Sequence, residues 1–141
     1  MRQTLSLFLK QKLPFTARVE QFGTRHAIYS GLVPTILLKD ATMYSGSLEI
    51  PIDHLWLAVG KRMARLNPRK GDQLQFHAWI REYTKFNGRT GSESFDYCVG
   101  RPSQIERIEA GDGLAFATYW GRARESGQFT SNLLDGILCT A

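Results

Sequence analysis

The stretch GDQLQFHAWIREYTKF, residues 71–86, is the clearest structural signal in the sequence. After a Gly-Asp turn, apolar and polar side chains alternate. The apolar set is Leu74, Phe76, Ala78 and Ile80. A period of two is typical of a β-strand with one face in a hydrophobic core and the other in solvent. The stretch therefore predicts a long, half-buried strand.

Three further strands are predicted before this one. Residues 15–22 (FTARVEQF) alternate in the same way, residues 35–43 form a second apolar run, and residues 48–57 form a third. A tight turn at residues 44–47 joins the last two as a hairpin. Pro51 indicates an edge or bulged position in the third strand, because proline lacks the N–H group that a central strand needs.

A short helix is predicted at residues 59–66, where the apolar residues Val59, Met63 and Leu66 recur at helical spacing. The following Asn-Pro pair ends this helix, because the residue before a proline is disfavoured in helical geometry.

A fifth strand is predicted at residues 95–99. The dipeptide Arg101-Pro102 breaks it, and residues 104–109 could extend it. Five strands with a helix between the third and fourth is the order of the OB fold, a partly open Greek-key barrel whose bottom the helix plugs. We therefore predict an all-β, OB-type barrel; the alternatives are another small β-barrel or a meander with one helix.

Size and composition predict a globular protein with one barrel domain. The chain has 141 residues, of which 43% are hydrophobic and 22% charged, as is usual for one folded domain. Composition shifts at a Gly-Asp-Gly turn, so residues 1–111 should form the barrel with its N-terminal lead-in. Residues 112–141 should form a C-terminal extension that could be helical and could contact a protein partner or a second copy.

Charge and targeting features indicate the class of partner and the cellular compartment. The 18 basic and 13 acidic side chains leave a net charge of +5, which moderately favours polyanionic partners. No run approaches the ~20 apolar residues of a membrane helix, and Lys10 and Lys12 follow the short N-terminal apolar patch without a cleavage site. Cys98 and Cys139 lack metal-ligand spacing. We expect a cytoplasmic protein with free thiols, no membrane contact, and neither a metal nor another cofactor.

Three motifs give the chain a family resemblance: DHLWL at residues 53–57, GDQLQFHAWIREY at 71–83 and DYCVGRP at 96–102. In this order they resemble small, mostly uncharacterised OB-fold proteins of bacteria, phages and mobile elements, over roughly residues 15–108. The resemblance concerns architecture. It implies nucleic-acid binding only as the common use of this fold, because a fold does not determine function.

The outward face of the long strand is the strongest functional signal, because aromatic and basic side chains alternate along it. Single-stranded nucleic acid needs this combination: bases stack on aromatic rings for ~1–3 kcal/mol each, and cations follow the phosphates. The alternative is that the extension or a partner covers this face, so that the rings serve packing. The candidate residues are His77, Trp79, Arg81, Tyr83 and Lys85.

Two predicted hairpin loops would rim the same face in an OB barrel. The first, residues 23–34, carries Arg25 and Tyr29, and the last, residues 86–95, carries Arg89. Arginine would contact phosphate and tyrosine would stack on a base. The alternative is that both are ordinary surface loops.

A second basic patch lies on the short helix and its exit. It could bind phosphate or an acidic protein, although a solvated helix face is the commoner outcome. The residues of the basic patch are Lys61, Arg62, Arg65, Arg69 and Lys70.

Asp53 and His54 are not expected to form a catalytic pair, because adjacent strand residues point to opposite faces.

Together these features predict a module that binds single-stranded DNA or RNA with little sequence preference and is not an enzyme. The alternative is a protein-interaction barrel, either an assembly subunit or a phage-encoded inhibitor of a nucleic-acid machine, which would use the aromatic face and the extension.

Overall fold

The computed structural model describes residues 7–27, 31–87 and 92–126, and the side chains of these residues apart from 27, 82–87, 92–98 and 126. The elements follow one another in the order strand, strand, strand, helix, strand, strand, helix. They are β1 (Lys12–Ala27), β2 (Gly31–Ser45), β3 (Leu48–Ala58), α1 (Lys61–Leu66), β4 (Gln73–Asn87), β5 (Ser92–Glu109) and α2 (Phe116–Ser126).

The five strands form one antiparallel sheet in the order β3-β2-β1-β4-β5. Strand β1 is central: its first half pairs with β4, and β2 pairs with it along nearly its whole length. The two outer strands, β3 and β5, also come into contact, which curls the sheet towards closure. This strand order, with α1 between β3 and β4, is that of an OB-type barrel and confirms the predicted fold.

The hydrophobic core is formed by the side chains that the apolar–polar alternation of the strands assigns to the inner face. The inward side chains of β4, from Leu74 to Ile80, are fully buried, and the ring of Phe76 stacks on that of Phe15 with centroids 5.5 Å apart. Met63 of α1 is also fully buried in this cluster, so the helix closes one end of the barrel. The predicted apolar faces of the strand and of the helix are confirmed.

The first hairpin is longer than predicted. Residues 23–34 were expected to form a loop, but β1 continues to Ala27 and β2 begins at Gly31. Pro34 is tolerated there because the β3 pairing with β2 starts only at Thr35. Its missing N–H therefore faces no partner strand. The prediction of a long loop was wrong, because a glycine and a proline were interpreted as ends of strands.

The fifth strand is interrupted but not ended by Arg101 and Pro102. β5 continues to Glu109, as the possible extension anticipated, and the two residues form a bulge. Trp79 of β4 pairs with Gly100, and His77 pairs with Ser103, so two steps on β4 correspond to three on β5. The prediction that the dipeptide breaks the strand was therefore wrong, since a bulge absorbs it.

A buried carboxylate joins three parts of the chain just before β4. Asp72 is fully buried, and its oxygens accept hydrogen bonds from the Arg69 N–H at 2.8 Å, the Gly111 N–H at 2.6 Å and Arg107 Nε at 2.8 Å. Burial by itself raises the pKa of Asp72, but these hydrogen bonds and the Arg107 charge outweigh it, and the pKa is lowered overall. We refer to these four residues as the Asp72 cluster.

The described part of the C-terminal extension is helical and packed. The first N–H groups of α2 are satisfied by α1's exit: Phe116 donates to the Pro68 carbonyl at 2.8 Å and Ala117 to Asn67 Oδ1 at 2.8 Å. The Phe116 ring packs edge-on against Phe22 of β1. Residues 127–141 of the extension lie outside the described residues.

Within the described ranges, neither helix has the length and apolar character to cross a bilayer. The same ranges contain no group of three or more His, Cys, Asp or Glu side chains placed to hold a metal ion. The Cys98 side chain and Cys139 lie outside the described part of the chain.

Candidate nucleic-acid interface

The outer face of β4 carries the predicted aromatic and basic side chains. Strand alternation turns Trp79 outward while its neighbours Ala78 and Ile80 are fully buried, and 40% of the Trp79 surface is exposed. His77 and Arg81, on the same face, are half-buried. The indole ring is therefore open to solvent and available for stacking.

The strands beside Trp79 explain why its ring is open. Across β1 it pairs with Lys12, whose side chain is exposed, and across β5 it pairs with Gly100. Glycine has no side chain to pack on the indole from the β5 side. The ring therefore has Lys12 beside it on β1 and the buried backbone of Gly100 beside it on β5.

A cleft of about 540 Å³ opens beside the ring. Among the described residues, its charged lining side chains are all cations, and they come from three different segments: the lead-in before β1, strand β4 and the bulge of β5. We refer to this site as the Trp79 cleft; its described lining residues are Leu9, Lys10, Trp79, Ile80, Arg81 and Arg101.

The lead-in is held against β4 by two backbone hydrogen bonds. The Lys10 N–H donates to the Ile80 carbonyl at 2.9 Å, and the Ile80 N–H donates to the Gln11 carbonyl at 2.9 Å. These bonds place Leu9 and Lys10 at the wall of the cleft, beside a strand far from them in sequence.

Two of the cations that line the cleft, Lys10 and Arg101, share an uncommon backbone conformation. Lys10 has φ 63° and Arg101 has φ 53°, both in the left-handed region, which costs a non-glycine residue about 1 kcal/mol or more. Such residues are concentrated at ligand sites, where the surrounding structure holds them. Neither residue was predicted from the sequence as a site candidate, although the dipeptide Arg101-Pro102 within a predicted strand was a signal for the β5 bulge.

Of the eight residues predicted for the interface, Trp79 and Arg81 come together in the cleft. His77 lies two residues along the same face, where its Nδ1 and the Oγ of its partner Ser103 are buried and have no hydrogen-bond partner among the described residues. Tyr83 and Lys85 are on β4, but their side chains lie outside the description, as do Tyr29 and Arg89 entirely.

Arg25 belongs to a different part of the barrel. It is on β1 opposite Val33, and not in a loop as predicted, and its Nε is buried with no hydrogen-bond partner among the described residues. Thirteen residues of β1 separate it from Lys12, the partner of Trp79, which is roughly 40 Å along a strand. The structure does not bring Arg25 into the Trp79 cleft.

The second basic patch lies on α1 and on the segment between α1 and the start of β4. All five of its side chains, Lys61, Arg62, Arg65, Arg69 and Lys70, are exposed. Arg69 Nη1 donates to the Gly113 carbonyl at 3.2 Å, and the Lys70 N–H donates to the Leu114 carbonyl at 3.0 Å. The exit of α1 is therefore fastened to the segment that leads into α2, and its side chains form a separate cationic surface.

The outer face of β2 and β3 is less suited to a polyanion. The cross-strand pair Leu37 and Trp56 is buried there, with 7% and 4% of the surface exposed. Near them, Asp40 and Asp53 are both exposed acidic residues with positive φ. A phosphate chain would meet covered apolar side chains and negative charge on this face.

One expectation about this face was wrong. Asp53 and His54 were expected to point apart, yet the Asp53 carboxylate lies 3.7 Å from His54 Nδ1. The register of β2 and β3 shifts on both sides of Asp53, and its φ of 83° breaks the alternation that the expectation assumed. Both side chains are well exposed, so solvent screens their interaction.

Comparison with known proteins adds a likeness to solved structures. No protein-family model and no curated protein matches the chain. Among solved structures, the chain is similar to a crystal structure of the mitochondrial single-stranded DNA-binding protein Rim1 from S. cerevisiae, with 13% sequence identity and a TM-score of 0.48, over 72% of this chain and 98% of that one.

Proposed function

We propose that this OB-type barrel binds single-stranded nucleic acid at the Trp79 cleft, by base stacking and phosphate contacts and without chemistry. The observation that carries the proposal is the exposed Trp79 ring in a cleft whose charged side chains, among the described residues, are Lys10, Arg81 and Arg101. No cofactor is part of the proposed activity.

Stacking on Trp79 favours a single strand over a duplex. An indole can stack only on a base whose face is free, and in a duplex both faces are covered by neighbouring base pairs. Each base stacked on an aromatic side chain contributes ~1–3 kcal/mol of binding free energy, whichever base it is. The remaining nucleotides would be held through their backbones, which makes binding tolerant of sequence.

The surrounding cations supply the electrostatic part of binding. Lys10, Arg81 and Arg101 line the cleft, and Lys12 flanks the ring on β1. Each phosphate that such a cation neutralises releases condensed counterions, so affinity for a single strand falls linearly with salt on logarithmic axes. The net charge of +5 adds a weaker attraction over a longer range.

Fluorescence anisotropy of labelled DNA and RNA oligonucleotides, single-stranded and duplex, tests the proposal with the full chain. We expect single strands to bind more tightly than the duplex of the same sequence, and the affinity to fall steeply as salt is raised. Trp79→Ala should weaken single-strand binding by roughly 5- to 150-fold, whereas Trp79→Phe, which keeps an aromatic face, should retain much of it.

The matched control is Arg62→Gln, which removes one exposed positive charge from α1, away from the cleft. It should reduce affinity less than Trp79→Ala does. Absence of single-strand binding at low salt, or binding that Trp79→Ala leaves unchanged, contradicts the proposal.

A further inference from the structure

The polar side chains of the Trp79 cleft have one chemical property in common. Lysine, arginine and the tryptophan indole can donate hydrogen bonds but cannot accept them. Among the described residues that line the cleft, Lys10, Trp79, Arg81 and Arg101 are of these types, and the remaining two are Leu9 and Ile80. The polar side chains of these described residues therefore offer donors only.

Three backbone carbonyls beside the cleft are already hydrogen-bonded. The Ile80 carbonyl already accepts the Lys10 N–H, and the Gln11 carbonyl accepts the Ile80 N–H. The Phe8 carbonyl accepts the Gln11 N–H at 3.0 Å. Each of these carbonyls already accepts one hydrogen bond, whereas the described side chains that line the cleft present donors.

A donor-only site discriminates among bases that stack equally well. Guanine presents two adjacent acceptors, O6 and N7, to which an arginine guanidinium can donate two parallel hydrogen bonds. Adenine, a purine of the same size, presents the acceptor N7 beside an amino group that is itself a donor. A donor facing that amino group has no partner, and leaving it desolvated and unpaired costs free energy.

Arg101 is the side chain best placed to read that edge. It is exposed, it lies in the bulge of β5, and its φ of 53° sets it apart from the regular ladder beside Gly100. Arg81, by contrast, is half-buried and already has an interaction partner within the protein.

We propose that the Trp79 cleft prefers guanine to adenine at its stacking position, and that Arg101 produces the preference by donating to O6 and N7. The inference rests on the proposed single-strand binding and adds a base preference at one nucleotide, while the rest of the strand remains sequence-tolerant.

The test is competition anisotropy with the full chain and short oligothymidylates that carry one central purine: guanine, hypoxanthine, adenine or 7-deazaguanine. Hypoxanthine keeps O6 and N7 but lacks the 2-amino group, and 7-deazaguanine keeps the guanine shape but lacks N7. We expect guanine and hypoxanthine to bind at least about fivefold more tightly than adenine, since a good bidentate pair contributes ~1–3 kcal/mol of discrimination. The oligonucleotide with 7-deazaguanine should bind about as weakly as that with adenine.

Two variants assign the preference to its residue. Arg101→Gln introduces an amide that both donates and accepts, which suits adenine, so the affinity ratio of guanine to adenine should fall to about one or below. Arg62→Gln makes the same change of charge on α1 and should leave the ratio as it is.

The outcomes separate this inference from the proposed function. If single strands bind but guanine, 7-deazaguanine and adenine compete equally, or if Arg101→Gln keeps the ratio, the base preference is wrong and single-strand binding stands. If no oligonucleotide binds at low salt, the proposed function itself fails.

Discussion

Asp72 and Trp79 lie seven residues apart, just before and within β4, and the charges around them are arranged in opposite ways. In the cluster, a fully buried carboxylate is satisfied by two backbone N–H groups and by Arg107. In the cleft, an exposed ring is surrounded by cations, and no Asp or Glu of the described residues lines it.

This difference separates stability from binding. A buried charge that is fully paired holds the chain segments that pair with it, and removing one partner is costly because the other is left uncompensated. Cations grouped around an open ring repel one another slightly and gain most when a polyanion arrives. We therefore expect changes at the cluster to affect unfolding and changes at the cleft to affect ligand affinity.

The largest expected effect is that of Asp72→Ala, which leaves Arg107 Nε and two backbone N–H groups without their acceptor. We expect the free energy of unfolding to fall by about 3 kcal/mol, measured by urea denaturation followed by circular dichroism. Asp112→Ala is the matched control, because Asp112 is exposed, and it should change stability by less than about 0.5 kcal/mol. Equal effects of the two variants would show that the cluster does not hold the fold.

The second-largest effect is expected on ligand binding and not on stability. Trp79→Ala should lose ~1–3 kcal/mol of single-strand binding free energy while the urea midpoint changes little, because 40% of the residue is exposed and its β5 partner, Gly100, has no side chain to pack on the ring. Measuring denaturation and anisotropy on the same preparation makes the comparison direct. A large loss of stability would mean that the ring serves packing, as the alternative interpretation of this face held.

A smaller effect is expected at Asn67, which ends α1 in the left-handed conformation with φ 52° and caps α2 through Oδ1. Asn67→Gly keeps that backbone conformation at no steric cost but removes the hydrogen bond to the Ala117 N–H, so it should cost about 1 kcal/mol of unfolding free energy. Asn67→Asp retains an acceptor and should cost less. If both variants match the unchanged protein in urea, the cap does not stabilise α2.

The smallest effect appears only in acid. The folded-state pKa of Asp72 is lowered from its ordinary value of 3.8, so its contribution to stability is present above about pH 4 and is lost as pH falls through the folded pKa. Thermal unfolding between neutral pH and pH 3 should therefore show a decline that is shallower in Asp72→Asn, which cannot titrate. Parallel curves for the two proteins would contradict the lowered pKa.

Much of the architecture could be predicted because it depends on local repetition. The period of two in β4 identified its buried face from Leu74 to Ile80, and the helical spacing around Met63 identified α1. Pro51 correctly indicated irregularity, since the register of β2 and β3 shifts beside it in an edge strand. The strand ends were harder, because a glycine or proline can lie inside a long, bulged strand that has no neighbour on one side.

The site could be predicted only in part, because some of its residues belong to one strand and others are brought to it by tertiary contacts. Trp79 and Arg81 follow from the outward face of one strand. Lys10 enters through hydrogen bonds to Ile80, seventy residues away, and Arg101 through a bulge whose geometry depends on pairing with β4. Neither residue belongs to a local pattern that names it as a ligand contact.

By itself, the sequence determined which side chains face inward and which face solvent along β4, because alternation is a property of neighbouring residues in an extended chain. Only the tertiary structure decided which cations surround Trp79 and which carboxylate is buried. Those choices depend on strand pairing, bulges and close backbone contacts, such as Gly111, where an added Cβ would lie 2.5 Å from the Gly71 carbonyl carbon. Such contacts join residues that are distant in the chain, so a local pattern cannot specify them.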